Sequence, residues 1–121
     1  MKNETLQSEA KLFRALMHPV RLAILETLRD GEECVCHMEA TLGYRQSYIS
    51  QQLAVLREAG LVRDRRDGWN VFYWVTEPEV FPLLDAARKI VGDPVGDRTA
   101  AARSASCPCP KCNTVVAEVV S

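Results

Sequence analysis

Gln46-Ser47-Tyr48-Ile49-Ser50-Gln51-Gln52-Leu53-Ala54-Val55-Leu56-Arg57-Glu58-Ala59-Gly60-Leu61-Val62 is the stretch on which the fold of this chain turns. Ile49, Leu53 and Leu56 recur at helical spacing, which predicts a helix from about Gln46 to Ala59 with one apolar face. Gly60 stands where a helix C-cap needs a residue that tolerates positive φ. The pattern then changes. Val62, Val71, Phe72, Tyr73, Trp74 and Val75 are strand formers, divided by the polar turn Arg65-Arg66-Asp67-Gly68, and Asp67-Gly68 is a strong hairpin mark.

Upstream, a short helix is expected from Val35 to Leu42, stopped by Gly43. Two helices separated by a short glycine-bearing turn make a helix-turn-helix. Leu6, Ala10, Phe13, Leu16 and Met17 predict a first helix, ending at His18-Pro19. Proline favours the first position of the next helix, over residues 19 to 29, and Asp30-Gly31 closes it. Downstream, Val80, Leu83, Leu84, Ala87, Ile90 and Val91 place a last helix from about Pro78 to Val91. The expected fold is mainly α with a β-hairpin wing: a winged helix-turn-helix over residues 1–91. Residues 92–121 shift to Gly, Asp, Pro, Ala, Arg and Ser and are expected to form a flexible tail.

At 121 residues the chain has room for one domain, and 47% hydrophobic with 26% charged residues is an ordinary globular balance. The formal net charge of −1 excludes nothing, because Arg57, Arg63, Arg65 and Arg66 cluster locally. No stretch approaches the roughly 18 apolar residues of a membrane span, and Met1 to Ala10 lacks an apolar signal core. A cytoplasmic protein with reduced thiols is the expectation, and the odd count of five cysteines argues against a fully paired disulfide frame.

Those cysteines fall in two groups, Cys34-Val35-Cys36 and Cys107-Pro108-Cys109-Pro110-Lys111-Cys112. Thiolates select soft ions. On a regular helix, positions two apart point about 200° from each other, so one ion cannot be held by both. Either Cys34 and Cys36 lie just before the helix, or ligand binding distorts its first turn. A pair of small buried core residues is the bland alternative. The prolines between Cys107, Cys109 and Cys112 forbid a regular helix and leave no core to bury those thiols, and the alternative there is an incidental tail. The linker from Val91 to Cys107 reaches about 50 Å when extended, enough to meet the first pair in either subunit of a dimer. Separate sites in the two clusters remain open. His37 adjoins the pair and reads as an exposed or capping residue more readily than as a ligand. His18 reads as a helix-entry residue.

On the helix from Gln46, polar Arg45, Gln46, Ser47, Tyr48, Ser50, Gln51 and Gln52 are candidates to face DNA, while Ile49 and Leu53 face inward. Arg63, Arg65 and Arg66 beside Gly68, Trp69 and Asn70 suit phosphate contact or a minor groove, with local pairing to Asp64 or Asp67 as the alternative.

Ala15-Leu16-Met17-His18-Pro19-Val20-Arg21-Leu22-Ala23-Ile24-Leu25, Glu33-Cys34-Val35-Cys36 and Ser50 through Val62 together resemble the ArsR/SmtB family of dimeric winged-helix repressors, over roughly residues 10 to 91. The resemblance implies a repressor that releases operator DNA, with two half-sites about one turn apart, on binding a metal or metalloid. It also implies that the first helix (Leu6, Phe13, Leu16) and the last (Leu83, Leu84, Ile90) make a homodimer. Departures from the family pattern are His37 where an acid is common, Glu33 where an apolar residue is usual, and the tail cysteines. The last helix offers Asp85 and no histidine, which rules out the zinc site some members carry there.

As(III) or Sb(III), held by Cys34, Cys36 and one or more of Cys107, Cys109 and Cys112, is the expected inducer, with Cd(II), Pb(II), Hg(II) or Zn(II) less favoured. The alternative is the same fold answering oxidants or reactive sulfur through a disulfide. A thiol enzyme built on Cys109-Pro110-Lys111-Cys112 lacks the βαβ setting of that motif, and no phosphate-binding glycine loop is present, so no enzymatic activity is expected. A DNA-binding protein with structural zinc would unfold when stripped of metal.

Overall fold

The computed structural model describes residues 2–92. Their order is α1 (Asn3–Leu16), α2 (Pro19–Thr27), β1 (Glu33–Cys34), α3 (Val35–Leu42), α4 (Gln46–Glu58), β2 (Val62–Asp67), β3 (Asn70–Val75) and α5 (Val80–Val91). This is the winged helix-turn-helix expected from the pattern, with helix ends shifted by up to three residues. The 92–121 tail, including Cys107, Cys109 and Cys112, lies outside the described residues apart from Gly92.

Local chemistry explains the boundaries. His18 caps α2: its Nδ1 accepts the Val20 N–H at 3.1 Å, and Pro19 occupies the first helical position. Helix α4 ends in a Schellman motif. The Gly60 N–H reaches the Arg57 carbonyl at 2.9 Å and the Leu61 N–H reaches Leu56 at 3.0 Å, with Gly60 at φ 80°. Leu61 and Leu56 are both buried, supplying the apolar contact that goes with this cap.

The core is where the elements meet. Ile24, Leu25, Met38, Ile49, Leu53 and Leu56 have no exposed surface and join α2, α3 and α4 into one cluster, closed by Val62 and Tyr73 from the sheet and Val80 and Leu84 from α5. Deleting a side chain such as Leu53 from such a core costs about 2–5 kcal/mol.

Two details differ from the sequence reading. The sheet has three strands in the order β1-β3-β2, because Glu33 and Cys34 pair antiparallel with Tyr73 and Phe72. A two-residue strand carries no periodicity and exists only because β3 offers it a free edge. The hairpin turn is also displaced. Arg65 and Arg66 belong to the β2–β3 ladder, opposite Phe72 and Val71, and the connection is Gly68-Trp69 between the paired Asp67 and Asn70. Gly68 at φ 64° is followed by a residue of negative φ, the sign pattern of a type II′ turn, which suits the twist of a hairpin.

Candidate DNA-binding surface and thiol site

Arg45, Gln46, Ser47 and Gln51 project from the exposed side of α4, opposite the buried Ile49 and Leu53. Arg45 is the residue that precedes the helix. Ser50 is half-buried. Two other predicted contacts are engaged inside the protein. Tyr48 packs on the core, with its hydroxyl 3.4 Å from His18 Nε2 and its ring 5.4 Å from that of Tyr44. The Gln52 side-chain oxygen accepts a hydrogen bond from Arg21 Nη1 at 2.8 Å.

Arg21 is a residue the sequence reading quoted without a role. Its guanidinium also donates to the carbonyls of Ala15, at 2.6 Å, and Arg14, at 3.3 Å, at the end of α1. One side chain on α2 therefore fastens α1 to the exposed-faced helix α4. Charge on the guanidinium suits the negative end of the α1 dipole.

On the wing, Arg63 and Arg66 are exposed, and so is Trp69 at the tip, at 99%. Arg65 is held. Its Nη2 and Nε donate to the two carboxylate oxygens of Glu32 at 2.6 and 3.2 Å, and its guanidinium carbon lies 4.7 Å from the Phe72 ring centre. The hydrogen bond to Glu32 raises the Arg65 pKa above its ordinary value. The local pairing foreseen for these arginines thus exists at Arg65, but with Glu32 rather than Asp64 or Asp67. No local pattern could reveal a partner 33 residues away. Asp64 instead meets Arg57, at 3.4 Å.

Cys34 and Cys36 meet at the first turn of α3, the first helix of the helix-turn-helix. Cys34 is the last residue of β1 and the N-cap of α3, where its sulfur accepts the His37 N–H at 3.2 Å. Cys36 lies one turn position inside the helix. Because Cys34 has extended backbone, φ −85° and ψ 157°, the helical divergence of about 200° does not apply. Their Cα atoms are 5.3 Å apart and the two sulfurs are joined in a disulfide. Neither alternative drawn from the sequence is met as stated: Cys34 precedes the helix while Cys36 lies within its first turn, and the strand-to-helix junction between them brings the sulfurs together. Cys34 is buried and Cys36 half-buried. His37 corrects an expectation: it is 2% exposed, turned into the protein with Nε2 3.4 Å from the Thr41 hydroxyl. Glu33 is likewise buried.

Two sulfurs fit a thiophilic ligand in donor chemistry and proximity. Among the described residues no group of three or more His, Cys, Asp or Glu side chains could hold a metal ion. Within the described residues the pair supplies two sulfurs.

Comparison with known proteins settles the class. Residues 18–64 match the profile of the bacterial regulatory protein, arsR family. An uncharacterized HTH-type transcriptional regulator of Mycobacterium tuberculosis, Rv0081, is 39% identical over 102 residues, spanning 83% of this chain and 90% of that protein. The chain belongs to the arsR family. Its crystal-structure likeness to Rv0081 has a TM-score of 0.66 at 30% identity, covering 99% of this chain and 100% of the other. The biofilm growth-associated repressor of Xylella fastidiosa is 44% identical over 77 residues, 64% of this chain and 68% of that one. The winged helix-turn-helix domain of Mb0332 from Mycobacterium bovis, described as homodimeric, has a TM-score of 0.66 at 26% identity over 75% of this chain and 87% of its own. This arsR-family protein is thus a DNA-binding transcriptional repressor, and not an enzyme. Among its described residues no helix is long and apolar enough to cross a membrane.

Proposed function

We propose that this repressor binds a two-half-site operator as a homodimer and releases it when a thiophilic metalloid, As(III) or Sb(III), is captured by Cys34 and Cys36. One or more of Cys107, Cys109 and Cys112 complete the sulfur set. The observation that carries this reading is the convergence of Cys34 and Cys36 on the first turn of α3. A ligand held there acts on the N-cap of the helix that packs against α4. It shifts the binding equilibrium to the degree that it binds the two shapes of this turn unequally.

The α4 face bearing Arg45, Gln46, Ser47 and Gln51 meets the operator, with Arg63 and Arg66 of the wing on phosphates. Tyr48 and Gln52 serve by fixing α4 rather than by reading bases. Homodimerisation is supported by the apolar side chains that α1 and α5 leave on the surface: Leu6 47%, Phe13 49% and Ile90 86% exposed. Leu16 and Leu84, which the resemblance placed on the dimerising helices, are buried in the protomer's own core. In a cytoplasmic setting the cysteines are held as thiols until the ligand arrives.

A second reading has its own observation. The disulfide coexists with an intact α3 and α4, so oxidation or reactive sulfur at this pair is a competent input to the same turn. Cd(II), Pb(II) or Hg(II) would use the same donors.

The test is DNA binding by the reduced chain, titrated with As(III), Sb(III), Cd(II), Pb(II) and Hg(II) beside Cys34→Ser and Cys109→Ser. Release by As(III) or Sb(III) at micromolar levels, abolished in Cys34→Ser, is expected. Release only on mild oxidation, reversed by a dithiol and indifferent to metal, transfers the function to the second reading. Cys109→Ser behaving as wild type removes that thiol from the sulfur set.

A further inference from the structure

Cys34, Phe72 and Arg65 form a single row of cross-strand partners across β1, β3 and β2. Partners in register share a face of the sheet, so the three side chains stand side by side. Cys34 and Phe72, 1% and 3% exposed, make a small cluster apart from the main core, with Cys36 packed against them. The Arg65 guanidinium lies over the same ring, 4.7 Å from its centre. Glu32, which precedes β1, grips that guanidinium through both carboxylate oxygens. The segment Glu32-Glu33-Cys34 therefore touches Arg65 twice, directly through Glu32 and through Phe72 from Cys34.

We infer that Arg65 is a phosphate contact whose availability is set by the thiol pair, and that Phe72 and Glu32 are the residues that position it. This rests on the reading of Cys34 and Cys36 as the sensing site. In the disulfide form, Nε and Nη2 of Arg65 are both committed to a carboxylate that also cancels its charge, so it contributes little to a phosphate backbone. Reduction breaks the S–S bond. Two electrons come from a dithiol, which closes its own disulfide, and each cysteine sulfur takes up a proton. The freed sulfurs must separate to van der Waals distance. Cys34 is pinned by the β1–β3 ladder and its capping bond, so the displacement falls on Cys36 and, through the small cluster it packs against, on the Phe72 ring. That ring is the platform under Arg65. Moving it loosens the guanidinium from its parked position and lets it turn to DNA.

Salt dependence reads this directly, because each phosphate contact adds about 0.9 to the slope of log Kd against log salt. The experiment uses the full chain with Cys107, Cys109 and Cys112 changed to Ser, so that only Cys34 and Cys36 can oxidise. The probe is a duplex selected by the reduced protein from a random pool. Slopes are measured for the reduced and diamide-oxidised forms of this protein and of its Glu32→Gln and Arg65→Gln variants, all on the surface of an otherwise unchanged fold checked by circular dichroism.

The reduced form is expected to show a slope steeper by about 1 to 2 than the disulfide form, one phosphate per subunit. Glu32→Gln should give the disulfide form the steep slope. Arg65→Gln should give both forms the shallow one. An Arg65→Gln variant that keeps the difference between forms overturns the inference, as does Glu32→Gln without effect on the disulfide form. A change of affinity on oxidation with identical slopes also overturns it, while leaving the thiol pair as sensor. If oxidation leaves binding by this protein unchanged, and As(III) leaves binding by the chain with its tail cysteines intact unchanged, the sensor reading itself fails, and this inference with it.

Discussion

Arg21→Met should loosen α4 from the rest of the protein, and the size of the effect follows from the three bonds it deletes. Arg21 donates to Gln52 Oε1 at 2.8 Å, to the Ala15 carbonyl at 2.6 Å and to the Arg14 carbonyl at 3.3 Å. A hydrogen bond from a charged donor contributes about 1.5–3 kcal/mol when well buried. Arg21 is half-buried and water can serve the two carbonyls once it is gone, so a net loss of about 2 kcal/mol is expected, most of it from the two short bonds. Methionine keeps the aliphatic stem, which isolates the polar part. In urea, with a slope of about 1 kcal/mol per molar for a domain of this size, the midpoint should fall by about 2 M at fixed protein concentration. The decisive measurement is the double-mutant cycle with Gln52→Ala. Arg21 and Gln52 should couple by about 1 kcal/mol, in stability and in operator affinity alike, since the bond orients the helix that meets DNA. Effects that add to within a few tenths of a kcal/mol would refute the claim that this bond holds α4.

Other consequences can be checked independently. Arg29, whose side chain is 11% exposed, joins Glu26 at 2.6 Å and Asp85 at 2.9 Å and lies over Phe81, tying α5 to α2. Arg29→Met leaves two carboxylates without that cation and should cost about 2–3 kcal/mol, lowering the thermal midpoint by roughly 10 °C; a shift below about 2 °C would show that α5 is held without Arg29, by its apolar face and the Arg88–Glu26 pair at 2.8 Å. Burial raises the Tyr73 phenol pKa above its ordinary value of 10.0. A raised pKa means the folded protein keeps the proton more tightly than the unfolded chain, so this contribution is complete below pH 10.0 and lost as pH rises through the folded value. Phenolate absorbance should show one of the three tyrosines titrating late, and Tyr73→Phe should remove that step; three groups titrating together would contradict it. Phe13→Glu combined with Ile90→Glu should convert the proposed dimer to a folded monomer in light scattering and weaken operator binding at least tenfold. A double variant that stays dimeric would move the interface elsewhere.

Much of the fold was legible because its marks are local. The Ile49, Leu53, Leu56 stripe and Gly60 announce α4 and its end, and His18-Pro19 announces α2. Each depends on residues within a few positions of one another. The hairpin was legible in its strands but not in its turn, since Asp67-Gly68 favours a connection beginning one residue earlier than Gly68-Trp69. Strand β1 was not legible at all.

For the site, the sequence by itself determined that polar residues cover one face of α4, that arginines line the wing, and that Cys34 and Cys36 stand at the entrance of α3. These follow from residue type and short-range periodicity, which act before the chain has closed on itself. Folding decided which of those residues are occupied: Gln52 by Arg21, Tyr48 by His18 and Tyr44, and Arg65 by Glu32 and Phe72. It also brought the two sulfurs together by ending a strand on Cys34, a conformation imposed by pairing with Phe72. Gln52 with Arg21, Tyr48 with His18, Arg65 with Glu32 and Cys34 with Phe72 join positions 30 or more residues apart, and such contacts exist only once packing has placed both groups on one surface.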